Sequence, residues 1–473
     1  MKKYIIGILL FPAIFYSCSG FLTEEPVLKQ SNELTFSKFE SLNKACAGVY
    51  TRFQSANWYG ADFILTSELS GGNAMNPVTY PGSGRYRYQT NWAYNESTTS
   101  SIWFYAYYTI SAANNVINNL DGKVSSSVSQ QDVDNVKAEA LFIRAVCHFD
   151  LVTTFAQPYT LDNGASLGVP VVLVTENGKP ARNTVKEVYD QVVSDLSTAE
   201  SLMSDSYARD GLTDLAAGVT KPAIQALLSR VYLNMGEYQK SADYATKVIK
   251  SGKFELKKGA DYLAMFTHNT AASKDEVIFE VYSSKKNEYW DGSGWTQISY
   301  ITTPGDGGAG SADVCASPDL IKLFDANDER LALYELKNDK DYFTLKYAGK
   351  EGSGTPKENN TIVLRLSEMY LNRAEAIYNG ATVAGVTAQS DLDAITSVRG
   401  AKTVSPSETT ILKERRKELA FEGQIFYDLK RTGTSLVRTD NAGVDVVFPS
   451  KKWALPIPKA EIDANPNIVQ NDY

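Results

Sequence analysis

A helical hairpin of about 35 residues constrains the fold of this chain more than any other feature of its sequence. Within Lys221–Leu256, Pro222 can open a first helix, Gly236 ends it, and a second helix runs from Tyr238 to Ile249. The first helix carries an apolar face that consists of Ala226, Leu227, Val231 and Tyr232. Because a single hairpin cannot bury its own apolar face, we expect several hairpins to stack side by side in an all-α scaffold.

This hairpin is similar to a tetratricopeptide unit, whose period is about 34 residues, because Tyr232, Gly236, Tyr238 and the small Ser241 occur in that order. A second candidate hairpin joins residues 362–378 with residues 390–399. Apolar residues at three- and four-residue steps predict further helices. These helices are expected at Ser37–Phe53, Thr98–Leu120, Asp132–Phe155 and Val185–Met203.

Two long stretches lack helical periodicity, and we call residues 57–96 the first irregular region and residues 257–359 the second irregular region. Both are rich in turn-forming and aromatic residues, and the second contains short β-type runs at Glu276–Tyr282 and Tyr342–Tyr347. We therefore predict a large loop region with minor short strands that stands on a helical scaffold formed by residues 36–56, 97–256 and 360–473. Binding residues are disproportionately carried by such loops.

The N-terminus has the organisation of a secretory signal peptide. Two lysines precede the apolar run Tyr4–Tyr16, which is too short to cross a bilayer as a helix of about 20 residues. Cleavage after Ser17 would leave Cys18 to carry the lipid anchor of a bacterial lipoprotein; the alternative is an ordinary secreted protein without a lipid on this cysteine. We predict a signal peptide over residues 1–17, a lipid-anchored tether over residues 18–35 and a single domain over residues 36–473.

Charge and cysteine content argue against several classes of function. The chain has 47 basic and 55 acidic residues and a net charge of −8, so it lacks the basic field that a nucleic-acid partner requires. Apart from Cys18, the cysteines are Cys46, Cys147 and Cys315, an odd number without C-x-x-C spacing, which favours neither a disulfide framework nor a zinc site. We expect no metal and no cofactor.

The segment Lys413–Gly433 predicts one amphipathic helix with ion pairs between residues three apart, Arg415 with Glu418 and Asp428 with Arg431. It resembles the signature helix of the SusD/RagB family, R-R-x-E-L-A-F-E-G-x-R-x-x-D-L-x-R, with Gln424 in place of the usual basic residue. Further segments match elements of the same family in chain order. They are Trp103–Asn114, Ala138–Leu151, Leu364–Ala376 and Leu455–Tyr473.

The resemblance implies an outer-membrane lipoprotein of Bacteroidota-type bacteria, exposed at the cell surface and built on about four tetratricopeptide-like helix pairs. It also implies a partner, since members of the family sit as lids over SusC-like TonB-dependent transporters. They capture oligosaccharides or, in some members, peptides. The family motifs place helices and do not identify the ligand.

Two patterns could be compared with those of enzymes. Glu418 and Glu422 lie one helical turn apart, like the carboxylates of a glycoside hydrolase, but the basic residues 415–417 would keep both acids ionised, and such an enzyme needs one with a raised pKa. Gly164–Gly168 fits G-x-S-x-G, with His268 further along, yet an extended segment follows where a hydrolase has a helix. We therefore predict no catalytic residues and keep a glycoside hydrolase as the third hypothesis.

Aromatic and polar residues cluster in both irregular regions, and we interpret them as a glycan-binding platform. A sugar ring has an apolar face that stacks on aromatic rings and hydroxyls that hydrogen-bond to polar side chains. The candidates are Arg85, Tyr86, Tyr88, Trp92, Asn95, Tyr289, Trp290, Trp295 and Tyr300. In the family the ligand site is formed by both regions, which favours Trp92, Asn95, Trp290 and Trp295; packing within the loops is the alternative for each aromatic residue.

The sequence thus predicts a lipoprotein that binds an extracellular oligosaccharide without changing it. A peptide-binding member of the same family is the main alternative. A scaffold without a ligand is a further possibility.

Overall fold

The computed structural model describes residues 36–80, 84–212, 215–267, 276–283, 298–304, 310–347, 359–439 and 442–473. The predicted signal peptide, Cys18 and the tether lie outside these residues. The helices are, in chain order, α1 Phe39–Tyr50, α2 Asp62–Ser70, α3 Arg87–Thr90, α4 Ser100–Ile117, α5 Gln130–Phe155, α6 Tyr159–Asp162, α7 Val185–Leu202, α8 Lys221–Met235, α9 Tyr238–Lys250, α10 Gly259–Thr267, α11 Ile298–Thr302, α12 Pro318–Ile321, α13 Leu366–Tyr378, α14 Ala388–Val398, α15 Glu408–Glu418, α16 Ile425–Arg431 and α17 Lys459–Ala464. The strands are β1 Ala74–Met75, β2 Val277–Val281, β3 Cys315–Ala316, β4 Tyr334–Lys337, β5 Asp341–Thr344 and β6 Thr361–Arg365.

Four helix pairs form the scaffold of the described residues. Helix α1 packs on α4, α5 on α7, α8 on α9, and α13 on α14. The pairs stack in chain order, because α4 also contacts α5, α7 contacts α8, and α9 contacts α13. The prediction of an all-α scaffold made of stacked helical hairpins is therefore confirmed.

The hairpin α8–α9 begins and ends where its sequence signals predict. The Thr220 side chain caps α8 by accepting a hydrogen bond from the Ala223 amide, and Gly236 ends the helix in the left-handed conformation, with φ 73°. Inside the hairpin, Ser229 Oγ donates to the Ser241 carbonyl at 3.0 Å and Ser241 Oγ donates to the Ser229 carbonyl at 2.9 Å. Both serines are buried, so these small residues let the two helices approach closely while their hydroxyls remain hydrogen-bonded.

A buried arginine–aspartate pair joins the two helices in two of the four pairs. Arg144 of α5 donates to both carboxylate oxygens of Asp195 of α7, at 2.8 and 2.7 Å. Arg373 of α13 makes the same two contacts with Asp391 of α14, also at 2.8 and 2.7 Å. Such bidentate contacts fix the register of each pair as well as neutralising its buried charges.

The irregular regions contain short regular elements. The first holds α2, α3 and β1, and the second holds α10 to α12 and β2 to β5. One antiparallel sheet has the strand order β1-β3-β5-β4, and β2 pairs with β6, which leads directly into α13. The β-type run predicted at Glu276–Tyr282 is confirmed as β2, whereas β5 covers only the first half of the run predicted at Tyr342–Tyr347.

The signature segment forms two helices, α15 and α16, so the prediction of one continuous helix is wrong. Between them, Phe421 and Gly423 adopt left-handed backbone conformations, with φ 63° and 77°. Their amides donate to the carboxylate of Glu68 on α2, at 2.8 and 2.9 Å. The chain leaves the helical path because Glu68 supplies the acceptor that buried amides require.

The ion pairs of the signature segment differ in part from the prediction. The Asp428–Arg431 pair is confirmed, with Oδ1 and Nη2 2.7 Å apart. The prediction of an Arg415–Glu418 pair is wrong, because Arg415 pairs with Asp428 of the next helix, with Nε and Oδ2 3.1 Å apart. Glu418 instead contacts arginines from other elements, which lie at Arg330, Arg365 and Arg399.

The cysteines of the described residues act as small core residues. Cys46, Cys147 and Cys315 are buried and free of disulfides. Within the described part of the chain, no helix combines the length and apolar character that a membrane span needs.

Candidate functional site

The two irregular regions meet at one face of the helical scaffold. The backbone amide of Ile298, where the second region re-enters the described structure, donates to the Gly60 carbonyl at 2.9 Å. At the other root of the same segment, Gln54 Nε2 donates to the Tyr282 carbonyl at 2.6 Å. The second region therefore contacts the first region next to the N-terminal end of α2, and it contacts the scaffold at Gln54.

Three residues form a half-buried polar cluster at this face: Asp62 of α2, Tyr86 before α3 and Ser101 of α4. The Tyr86 hydroxyl donates to Asp62 Oδ1 at 3.0 Å. Burial raises the pKa of the Asp62 carboxyl to about 6, although hydrogen bonds from Tyr86 and Ser101 lower it. The cluster thus places a carboxylate with acceptor capacity next to two hydroxyls.

Arg85 adds a positive charge beside the polar cluster. Its Nη1 lies 3.8 Å from Asp313 Oδ2, and half of its side chain is exposed. Asn76 holds the two segments together, since its Nδ2 donates to the Arg85 carbonyl at 3.0 Å and to the Asp313 carbonyl at 3.1 Å. The guanidinium can therefore donate to a ligand from a fixed backbone.

Tyr88 and Asn95 lie on the same loop and also have local structural roles. The Tyr88 hydroxyl donates to the Thr98 carbonyl at 3.3 Å, and its ring is half-buried. Asn95 is exposed, while its Oδ1 accepts a hydrogen bond from the Ser97 amide at 2.9 Å. Within the described residues, its amide nitrogen Nδ2 donates to no protein acceptor. This nitrogen can therefore donate to a ligand hydroxyl.

Trp92 is a core residue, and its predicted role as a stacking surface is corrected. Only 6% of the residue is exposed, and its ring nitrogen donates to the Ser70 carbonyl at 3.1 Å. Its ring packs edge-on against Trp453, with centroids 4.9 Å apart, and in a tilted arrangement against Phe426, with centroids 5.8 Å apart. A sugar ring could not reach a face of this indole without displacing the core.

Three candidates of the second irregular region, Tyr289, Trp290 and Trp295, lie outside the described residues. Tyr300 falls in α11, whose backbone is described, whereas its side chain is not. These four residues stay predictions. One root of their segment, Ile298, hydrogen-bonds to Gly60, two residues before Asp62.

Two exposed aromatic residues at this face were missed by the sequence analysis. Phe104 and Tyr108 of α4 are 56% and 37% exposed. They follow Ser101 by three and seven residues, so all three side chains lie on one side of the helix. A signal was available: five of the six residues from 103 to 108 are aromatic, more than one buried helix face can hold.

The carboxylates compared with a glycoside hydrolase are buried in a network of ion pairs. Burial raises the pKa of Glu418, but Arg399, Arg365 and Arg330 outweigh it and hold that pKa well below its usual range. Burial likewise raises the pKa of Glu422, and Arg365 and Lys346 lower it further than burial raises it. Neither group can serve as the protonated acid of a hydrolase at neutral pH, which favours the structural role.

A cavity of about 580 Å³ lies beside the signature segment. Its lining includes apolar residues of α15, α16 and the chain after them, with Lys413 and Arg416 also present. None of the predicted site residues within the described ranges lines this cavity. Within the described residues, no group of three or more His, Cys, Asp or Glu could hold a metal ion.

Two family models match the chain. The SusD-like model described as starch-binding and associating with the outer membrane matches residues 20–233, and the SusD family model matches residues 334–473. The SusD-like protein P2 of Formosa agariphila is 26% identical over 522 residues, which cover 100% of this chain and 99% of that protein.

Solved structures share the fold. A SusD superfamily protein from Bacteroides thetaiotaomicron is 31% identical, with a TM-score of 0.81, and the match covers 92% of this chain and 100% of that one. Surface glycan-binding protein A from the same species, in complex with laminarihexaose, matches with a TM-score of 0.77 at 21% identity, over 92% of this chain and 100% of that one. On the family models and the 31% identity over a full-length member, the chain belongs to the SusD family.

Proposed function

We propose that this protein binds an oligosaccharide at the cell surface and delivers it to a SusC-like TonB-dependent transporter, without catalysing a reaction. The observation that carries the proposal is the meeting of both irregular regions around Asp62, Tyr86 and Arg85, beside exposed aromatic rings. Sugars present many hydroxyls and an apolar face, so their sites combine a few polar groups with aromatic side chains.

Family membership supports the sugar class. One matching family model is described as starch-binding, and a protein with the same fold binds laminarihexaose. The buried ion pairs of Glu418 and Glu422 also favour a binding protein over a hydrolase, since both carboxylates are held ionised by neighbouring cations. In this proposal Cys18 carries the acyl chains, and two or more chains would hold the protein stably at the outer membrane.

Isothermal titration calorimetry of the protein without its signal peptide tests the binding role. The probes are defined oligosaccharides of several linkages, with unmodified peptides of similar size as the competing class. We expect a sugar to bind wild type at pH 7.5 and Asp62→Ala to weaken it about tenfold or more, because hydrogen bonds to a charged group contribute about 1.5–3 kcal/mol. Asp243→Ala, which removes an exposed carboxylate from α9, is the matched control.

The pH dependence of the same titration has a fixed sign. Because the pKa of Asp62 is raised to about 6, its carboxylate is ionised at pH 7.5 and mostly protonated at pH 5. Wild-type affinity should therefore fall as the pH is lowered, and Asp62→Ala should remove that fall. The proposal is contradicted if only peptides bind, or if Asp62→Ala binds the sugar like wild type.

A further inference from the structure

We propose that Phe104 and Tyr108, here called the aromatic pair, form a stacking subsite for the sugar unit next to the one that the polar cluster binds. This inference rests on the proposed function and assigns the ligand to linear oligosaccharides of at least two units. The two rings lie one helical turn apart, with centroids 5.7 Å apart and planes inclined by only 16°. The two rings thus stack on each other, and because the Arg52 guanidinium lies over the Tyr108 ring, the aromatic surface left for a ligand is mainly that of Phe104.

Among the described residues, the packing of the scaffold does not account for the exposure of Phe104. Trp103 and Tyr105, on other sides of the same helix, are only 4% and 6% exposed, so these two residues supply the aromatic side chains that this segment adds to the core. Single exposed apolar residues are common on protein surfaces, whereas Phe104 is supported by the stacked Tyr108 ring and lies on the same side of α4 as Ser101 of the polar cluster. Phe104, with 56% of its surface exposed, has most to gain from being covered.

Arg52 holds the pair in place before any ligand arrives. The central guanidinium carbon lies 3.5 Å from the centroid of the Tyr108 ring, and Nη1 donates to the Tyr108 carbonyl. A cation–π contact at this distance restrains the ring, and a surface that is ordered in advance loses less entropy on binding. Arg52 lies two residues before Gln54, whose side chain donates to the Tyr282 carbonyl of the second irregular region.

The position of the aromatic pair relative to the polar cluster defines the ligand. Ser101 belongs to the polar cluster and lies one helical turn before Phe104 on the same side of α4. When the hydroxyls of one sugar unit contact Asp62, the next unit of the chain can therefore lie over Phe104. A free monosaccharide can occupy the polar cluster but cannot cover Phe104 at the same time.

Titration with oligosaccharides of increasing length tests this subsite. The probes are α-1,4-gluco-, β-1,3-gluco- and β-1,4-xylo-oligosaccharides of one to six units. For the series that binds, we expect wild-type affinity to rise about tenfold or more between one and three units, and Phe104→Ala to remove most of that rise while leaving monosaccharide affinity unchanged. Phe104→Trp should retain it, and Tyr378→Ala, which removes an exposed aromatic residue of α13, should not affect it.

The outcomes separate the subsite from the function on which it rests. If Phe104→Ala and the helix-compatible Phe104→Gln both keep the wild-type dependence on length, while Asp62→Ala weakens binding, the subsite is wrong and the proposed function stands. If wild type binds no member of any series and binds peptides instead, the proposed function fails and the subsite fails with it. Circular dichroism of each variant confirms that the helical scaffold is retained.

Discussion

Trp92 adopts a left-handed backbone conformation, with φ 50°, although it carries a large side chain. Such a conformation persists only when the surroundings fix it. Here the Trp92 amide donates to the Gln89 carbonyl at 3.1 Å, and the indole nitrogen donates to Ser70. The ring is thereby turned away from solvent and fastens the first irregular region to the core.

Substitution of Trp92 should act on stability before it acts on binding. Trp92→Ala removes a buried indole and leaves a cavity beside Trp453 and Phe426, so we expect it to lower the free energy of unfolding by about 3–5 kcal/mol. Urea unfolding followed by circular dichroism measures this change. Tyr378→Ala, in an exposed position, should alter stability little.

The opposite pattern would restore Trp92 as a ligand residue. A Trp92→Ala protein with wild-type stability that no longer binds the oligosaccharide would show that the indole contacts the ligand directly. The packing of Trp92 in the core requires instead that the substitution lowers stability before it affects binding.

At the level of elements, the break between α15 and α16 is the feature that depends most on distant residues. Glu68 binds the amides of Phe421 and Gly423 and also accepts a hydrogen bond from Asn73 Nδ2 at 2.9 Å. Gly423 lies against α2, since a Cβ built at this position would meet Ile64 Cδ1 at 2.8 Å. The break therefore connects the signature segment to the helix that begins with Asp62.

Two glycines with similar backbones test this close approach. Gly423 has φ 77° and Gly122 has φ 75°, but a Cβ at Gly122 would meet nothing within 4 Å. Both Gly→Ala variants should lose about 1–2 kcal/mol for the left-handed backbone, and Gly423→Ala should lose about 1–3 kcal/mol more because Ile64 must move. Urea unfolding of the two variants gives the difference; equal losses would mean that α2 tolerates the added methyl group.

At the scale of the whole molecule, the helical scaffold could be predicted because its signals are local. Pro222 and Gly236 mark the ends of α8 within the hairpin itself, and the capping box of Thr184 with Glu187 fixes the start of α7. The break after α15 could not be predicted in this way. Its cause, Glu68, is 353 residues from Phe421 in the sequence.

Only part of the candidate site depends on local signals. Loop composition indicates where polar residues such as Arg85 and Tyr86 are concentrated, but it cannot tell a buried ring from an exposed one. Trp92 is buried by Trp453, whose contact with it arises only in the folded chain. Phe104 and Tyr108 were not among the predicted site residues, although the density of aromatic residues around them was a readable sign of exposure.

The most direct test of the account is a crystal structure of this protein with an oligosaccharide that calorimetry shows to bind. We predict that one sugar unit contacts Asp62 and Tyr86, and that the next covers Phe104. A sugar bound instead in the cavity beside α15 and α16, with Asp62 and Phe104 left in solvent, would contradict the account.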